Sequence, residues 1–224
     1  VFEGIQSKKP FYIAPYVLAG YQQDYKLKAS GTGYEMKDKP KFNAGIDAKY
    51  GLTNNLTLDI TVNTDFAQVE ADDQQINLTR FSLFFPEKRT FFQERSSIFN
   101  FSFENKDNLF YSRRIGLNRG EEVPILGGAR ITGMAGKWDI GFLDMQTNSF
   151  DPSNPAMSTL PSENFGVIRL RRQVINRNSY IGGILTSRLG MDGTYNNGYG
   201  VDGIFKLLKN DYFNLKLAQV MAKG

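Results

Sequence analysis

The sequence predicts an all-β fold, an antiparallel transmembrane β-barrel of up-and-down hairpins, and three observations predict it. Apolar and polar residues alternate with a period of two in several separate runs, the spacing that puts one face of a strand against a nonpolar medium. Aromatics reach 13% of the chain through 18 Phe and 11 Tyr. No run offers the roughly 18 consecutive apolar residues of a membrane helix, while a mean hydropathy of −0.38 suits a barrel, in which only alternate residues meet lipid.

The elements follow in chain order. Residues 10–22 read as a first strand, with Pro15 arguing for an edge or a bulge because proline cannot donate to a ladder. From Phe42 to Gly51, apolar Phe42, Ala44, Ile46, Ala48 and Tyr50 alternate with Asn43, Gly45, Asp47, Lys49 and Gly51. Thr53-Asn54-Asn55 supplies a tight turn, and Leu56, Leu58, Ile60 and Val62 alternate against Thr57, Asp59, Thr61 and Asn63 towards Phe66. The same unit returns three times: 126–134 with 138–147, 165–173 with 180–189, and 199–208 with 213–219. Each arm has about nine to eleven residues, the length of a tilted membrane strand. Val167-Ile168 and Tyr180-Ile181 spoil two arms by placing apolar residues on both faces. The expectation is a single domain over residues 1–224 with about nine strands. Short turns near Thr53, Gly136, Asn176 and Asn210 face longer links at 23–41, 67–123, 151–163 and 190–197, as periplasmic turns face outer loops. The odd count predicts that further strands complete the barrel.

Segment 67–123 interrupts the pattern. It holds Glu70-Ala71-Asp72-Asp73, the stretch from Phe81 to Glu94 with five Phe, and Phe110-Tyr111-Ser112-Arg113-Arg114-Ile115-Gly116. So many aromatics need cover, which predicts an inserted plug or lid.

Composition excludes several functions. Cysteine is absent, removing disulfides, thiolate metal sites and cysteine nucleophiles. Histidine is absent too, which removes the commonest general base and metal ligand and with it Ser–His and Asp–His hydrolases. The +4 net charge is dispersed among both signs, so nucleic acid is not an expected partner, and outer-membrane lipid or lipopolysaccharide suits the surface better.

The run from Asn55 to Asp72, followed by Phe84-Phe85-Pro86-Glu87-Lys88-Arg89 and Ser112-Arg113-Arg114-Ile115-Gly116, resembles a family of large outer-membrane proteins of uncharacterised function. Members carry an N-terminal module similar to family 9 carbohydrate-binding domains and a C-terminal β-barrel. The resemblance spans about residues 10–150 and implies outer-membrane location and barrel architecture. The sugar-binding module has no counterpart in these 224 residues, so a glycan partner is implied only through that missing part.

Each candidate site has a bland alternative. Glu70, Asp72 and Asp73 are weak candidates for calcium, but no EF-hand spacing is present and a solvated acidic loop is the preferred reading. Glu87, Lys88, Arg89, Glu94, Arg113 and Arg114 are candidate lumen or plug contacts, either a charged constriction or a salt-bridge network holding the insert to the wall. Asp59 and Asp65 are a formal carboxylate pair that the polar face of a strand explains without catalysis. Trp138, Tyr111 and Tyr199 suit sugar stacking, but a membrane-interface girdle is preferred. Gly127-Gly128, Gly182-Gly183 and Gly31-Thr32-Gly33 lack the following helix and lysine of a phosphate loop. Phe42, Ile46, Tyr50, Leu56, Leu58, Ile60, Val62, Val201, Phe205, Phe213 and Leu215 are expected to face lipid.

The expected function is a non-catalytic channel, uptake component or membrane-embedded scaffold that needs no cofactor and has other envelope proteins as further partners. One alternative is a soluble β-sandwich carbohydrate-binding module. The other is a barrel hydrolase acting on lipid or glycan with its catalytic residues outside this segment.

Overall fold

The computed structural model describes residues 9–27, 32–64, 87–103, 108–118, 121–152, 158–208 and 211–224. The chain is all-β and antiparallel, with one nine-stranded sheet in which every strand pairs with its neighbours in chain order. The strands are β1 (Phe11–Leu27), β2 (Tyr34–Gly51), β3 (Leu56–Val62), a small separate ribbon of β4 (Leu117–Asn118) and β5 (Glu121–Glu122), then β6 (Ile125–Ala135), β7 (Trp138–Thr147), β8 (Glu163–Gln173), β9 (Tyr180–Gly190), β10 (Tyr195–Leu208) and β11 (Asp211–Lys223). The sheet is open: β1 and β11 are its two edges and do not pair with each other. Pro15 sits in edge strand β1, where its missing N–H leaves no ladder bond unmade on the unpaired side.

Two of the expected long links are strand instead. β1 continues to Leu27 and β2 starts at Tyr34, with Leu27 opposite Tyr34, so the link at 23–41 shrinks to residues 28–33. Tyr21, Tyr25, Tyr34 and Met36 carry the alternation outward among charged residues that read as a loop. Likewise β10 begins at Tyr195, and the link at 190–197 becomes a tight turn in which Asp192 accepts from the Thr194 hydroxyl at 2.7 Å and Gly193 takes φ +85°. Long connections remain only between β3 and β6 and between β7 and β8, with the Phe150–Leu160 bridge within the latter.

Register decides which residues share a face. One row runs Phe11, Tyr50, Leu58, Ile131, Phe142, Ile168, Leu185, Tyr199 and Gln219 across the whole sheet. The next row towards the tight turns runs Leu56, Gly133, Ile140, Leu170, Gly183, Val201 and Leu217. All the residues expected to face lipid lie on this outer face. Ile46 (42%), Ile60 (43%), Val201 (53%) and Phe213 (54%) remain exposed on it, and Leu58 and Phe205 are half-covered.

The opposite, inner face carries the insert. Phe92, Ile98, Phe99, Phe101 and Ile115 pack with Ile125, Leu143, Met145, Phe165, Val167 and Ile184 into the core. This resolves the two spoiled arms. Val167 points into that core while Ile168 lies outside, because the inner face turns apolar where the insert covers it.

Candidate functional site

The insert is built from short turns: α1 (Thr90–Gln93) and two single-turn 3-10 helices at Ser96–Phe99 and Ser112–Arg114. Such pieces hold no shape alone. They are held by aromatic contacts with the sheet and by charge-assisted bonds to carbonyl groups.

Two sheet glycines make room for the aromatics. A Cβ on Gly141 would lie 2.9 Å from the Phe99 ring, and one on Gly200 would lie 2.6 Å from Phe101 and 3.0 Å from Leu109. Any side chain there would push the insert off the sheet.

The charges fall into three groups. In the first, Arg89 meets both oxygens of Glu87, through Nε and Nη2 at 2.8 Å each, and donates to the carbonyls of Ile115 (2.6 Å) and Ser112 (2.9 Å). The Ser112 hydroxyl also donates to Glu87 at 2.6 Å, and the Arg89 guanidinium covers the Phe92 ring at 4.1 Å. Burial by itself raises the Glu87 carboxyl, but the Arg89 and Ser112 bonds outweigh it and hold the group below its ordinary 4.5. This group ties the two ends of the insert together.

The second group fastens the insert to the sheet. Arg130 of β6 is buried, pairs with Asp59 of β3 at 2.8 Å, and donates to the carbonyls of Glu94 (2.9 Å) and Phe91. Lys49 of β2 lies 3.5 Å from Asp59 and bonds the Glu94 carboxylate. That Lys49 bond is the main reason the Glu94 carboxyl lies below its ordinary value. A cavity of about 420 Å³ with a mixed lining opens beside this cluster, where Asp47, Lys49, Asp59, Glu94 and Arg130 meet Tyr12, Ala14, Ala48, Ile60 and Phe91.

The third group lies within the sheet. Arg169 of β8 and Asp202 of β10 form a two-pronged pair at 2.7 and 2.6 Å, their side chains 0% and 2% exposed, with Tyr180 donating to Asp202 at 3.3 Å. Phe101 of the insert lies 5.4 Å from the guanidinium, and Lys216 of β11 donates to the Ser102 carbonyl at 2.7 Å.

Of the expected lumen or plug contacts, Glu87, Arg89 and Glu94 join these networks and Arg113 is buried in the insert. Lys88 is half-buried, and Arg114 is exposed and borders a separate polar cavity of about 350 Å³ with Glu163 and Arg188. Asp59 is committed to cations, while Asp65 lies outside the described residues. Glu70, Asp72 and Asp73 also lie outside them, and among the described residues no group of three or more acids is placed to hold a metal ion.

Sequence reasoning passed over Lys49, Arg130, Arg169 and Asp202. The signal was present: each occupies the polar phase of its strand, and the two cation–anion pairs need only strand adjacency or a two-strand reach. What joins them is the register and the insert, which no local pattern encodes.

Residues 11–129, more than half of the chain, match the model of a family described as a domain of unknown function, DUF5916. The chain belongs to that family. The DUF5916 match runs from β1 through the insert into β6, so it includes Lys49, Asp59, Glu87, Arg89 and Glu94 and stops one residue before Arg130. No curated protein and no solved structure matches the chain.

Proposed function

We propose that this DUF5916 chain is a wall segment of an outer-membrane β-barrel, with residues 87–118 held inside as a plug, and that it serves without catalysis as an uptake component or a membrane-embedded scaffold of an envelope complex. One observation carries the reading: the sheet buries its charges under the insert and leaves apolar rows exposed on its other face. Water would reverse that arrangement. A bilayer favours it, since lipid meets the apolar rows while the buried charges of the three groups are paired on the inner face. The plug reading rests on the anchoring of the insert, because an arginine bonded to two insert carbonyls and to a wall carboxylate is not the lining of an empty pore.

A soluble sandwich would require a second sheet over the outer rows. Among the described residues the only other sheet is the β4–β5 ribbon, which is two residues wide on each side. The test is refolding of the full chain into zwitterionic detergent, phosphatidylcholine vesicles and plain buffer. Strand circular dichroism that forms only with amphiphile, and floats with the vesicles, supports the proposal. A monodisperse folded monomer in buffer overturns it. Planar-bilayer recordings then separate the two roles: a large steady conductance would refute a plugged wall.

A further inference from the structure

The outer rows are not evenly filled. Between β7 and β11, near the tight turns, the surface sinks into an apolar trough of about 700 Å³ walled by Trp138, Leu170, Ile181, Val201 and Leu215. Its depth comes from Gly183, which sits on the outer face between the large side chains of Leu170 and Val201, while the Phe205 ring lies over Gly203 beside it. The volume lies within the roughly 300–1,000 Å³ range of small-ligand clefts. Almost nothing polar lines it, so its occupant has an apolar body.

One cation stands at the turn-side mouth. Arg172 is directly opposite Trp138 in the β7–β8 ladder and opposite Ile181 in the β8–β9 ladder, on the same outer face. Its guanidinium lies 5.4 Å from the Trp138 ring centroid, it is exposed, and among the described residues it meets no carboxylate. Every other arginine named in the charge groups has an acidic partner. Lys137 and Arg177 occupy the adjoining tight turns and add positive potential at that end. An apolar trough that ends at an aromatic ring and an uncompensated cation is complementary to a molecule with an acyl chain and an anionic head.

We infer that this trough is a binding site for an anionic phospholipid of the surrounding bilayer, one acyl chain lying over Gly183 and the phosphate held by Arg172 beside Trp138. The inference rests on the proposed membrane reading and adds to it a lipid preference at one address. A face merely bathed in lipid would show none.

Trp138 is the only tryptophan in the chain, so its fluorescence reports on this site alone. The full chain is reconstituted in phosphatidylcholine vesicles containing, at equal mole fraction, either dibrominated phosphatidylglycerol or dibrominated phosphatidylcholine, whose bromines quench on contact. Phosphatidylglycerol is expected to compete for the site about fivefold better, which is what about 1 kcal/mol per basic residue at a membrane surface amounts to. Arg172→Gln should abolish the preference while leaving quenching by phosphatidylcholine intact. Gly183→Val, whose new Cβ would meet only the Gly200 carbonyl at 3.6 Å, should fill the trough and weaken quenching by phosphatidylglycerol. Equal quenching by the two lipids overturns the site but leaves the membrane reading standing. Absence of quenching by either overturns both, and a doubled particle mass in that case would show a second copy of the chain seated on the face.

Discussion

Replacing Asp202 by Asn leaves a near-isosteric side chain and removes one charge from the pair with Arg169. The two side chains are 0% and 2% exposed and meet at 2.6 and 2.7 Å, so the remaining guanidinium cannot turn to water. Its Nε already lacks a partner among the described residues, which leaves little polar surroundings to share the charge. Breaking a buried pair from one side costs about 3–5 kcal/mol, because an uncompensated charge stays in the interior. With a urea slope of about 2 kcal/mol per molar, the midpoint should fall by roughly 1.5–2.5 M. The assay is equilibrium urea unfolding of the refolded protein, followed by Trp138 emission and by circular dichroism. The companion variant combines Arg169→Met with Asp202→Leu, replacing both charges by apolar groups of similar size, and should recover most of the loss. A shift below about 0.5 M for Asp202→Asn would refute the argument, as it would mean the site admits water.

Other outcomes follow from the same contacts. Gly200→Leu should displace Phe101 and Leu109 and expose residues 87–118 to protease in the folded protein, at a cost of about 1–3 kcal/mol; unchanged cleavage would show that the insert does not rest there. Glu87 and Glu94 both ionise below their ordinary value of 4.5 in the folded chain, so the stability they contribute is full above that value and is lost as pH falls through their lowered values. Protease sensitivity of the insert should therefore rise in acid, and Glu87→Gln should remove its part of that dependence. Ile60→Arg places a cation among the outer rows and should cost about 2–4 kcal/mol of folding stability in vesicles; a change below about 0.5 kcal/mol, the ordinary range for an exposed substitution, would argue that water covers that face. Finally, Arg130→Met should release the carbonyls of Phe91 and Glu94, and its measured effect is expected in insert protection more than in strand content.

Much of the architecture was legible before any coordinates. The alternation of Phe42, Ile46, Leu58, Ile60 and Val201 against polar neighbours has period two, and a strand has no freedom to send those side chains anywhere but to one face. Short turns between such runs admit little except antiparallel neighbours in chain order, so the nine-stranded order was readable too. Where reading failed, the cause was local: charged residues around Tyr25 and Tyr34, and the Asn-rich start of β10, have the composition of loops, yet ladder bonds and outward tyrosines make them strand.

What only the tertiary structure decided is which of the two faces is wet, dry or occupied. Alternation alone cannot say whether Arg130, Arg169 and Asp202 look into water or into protein, because a strand presents them identically in both cases. Their burial depends on an insert whose bonds to Arg130 come from Phe91 and Glu94, 39 and 36 residues away in sequence, and which is fitted over Gly141 and Gly200. That fit is a matter of volumes and register summed over several strands, and no short window of residues contains it.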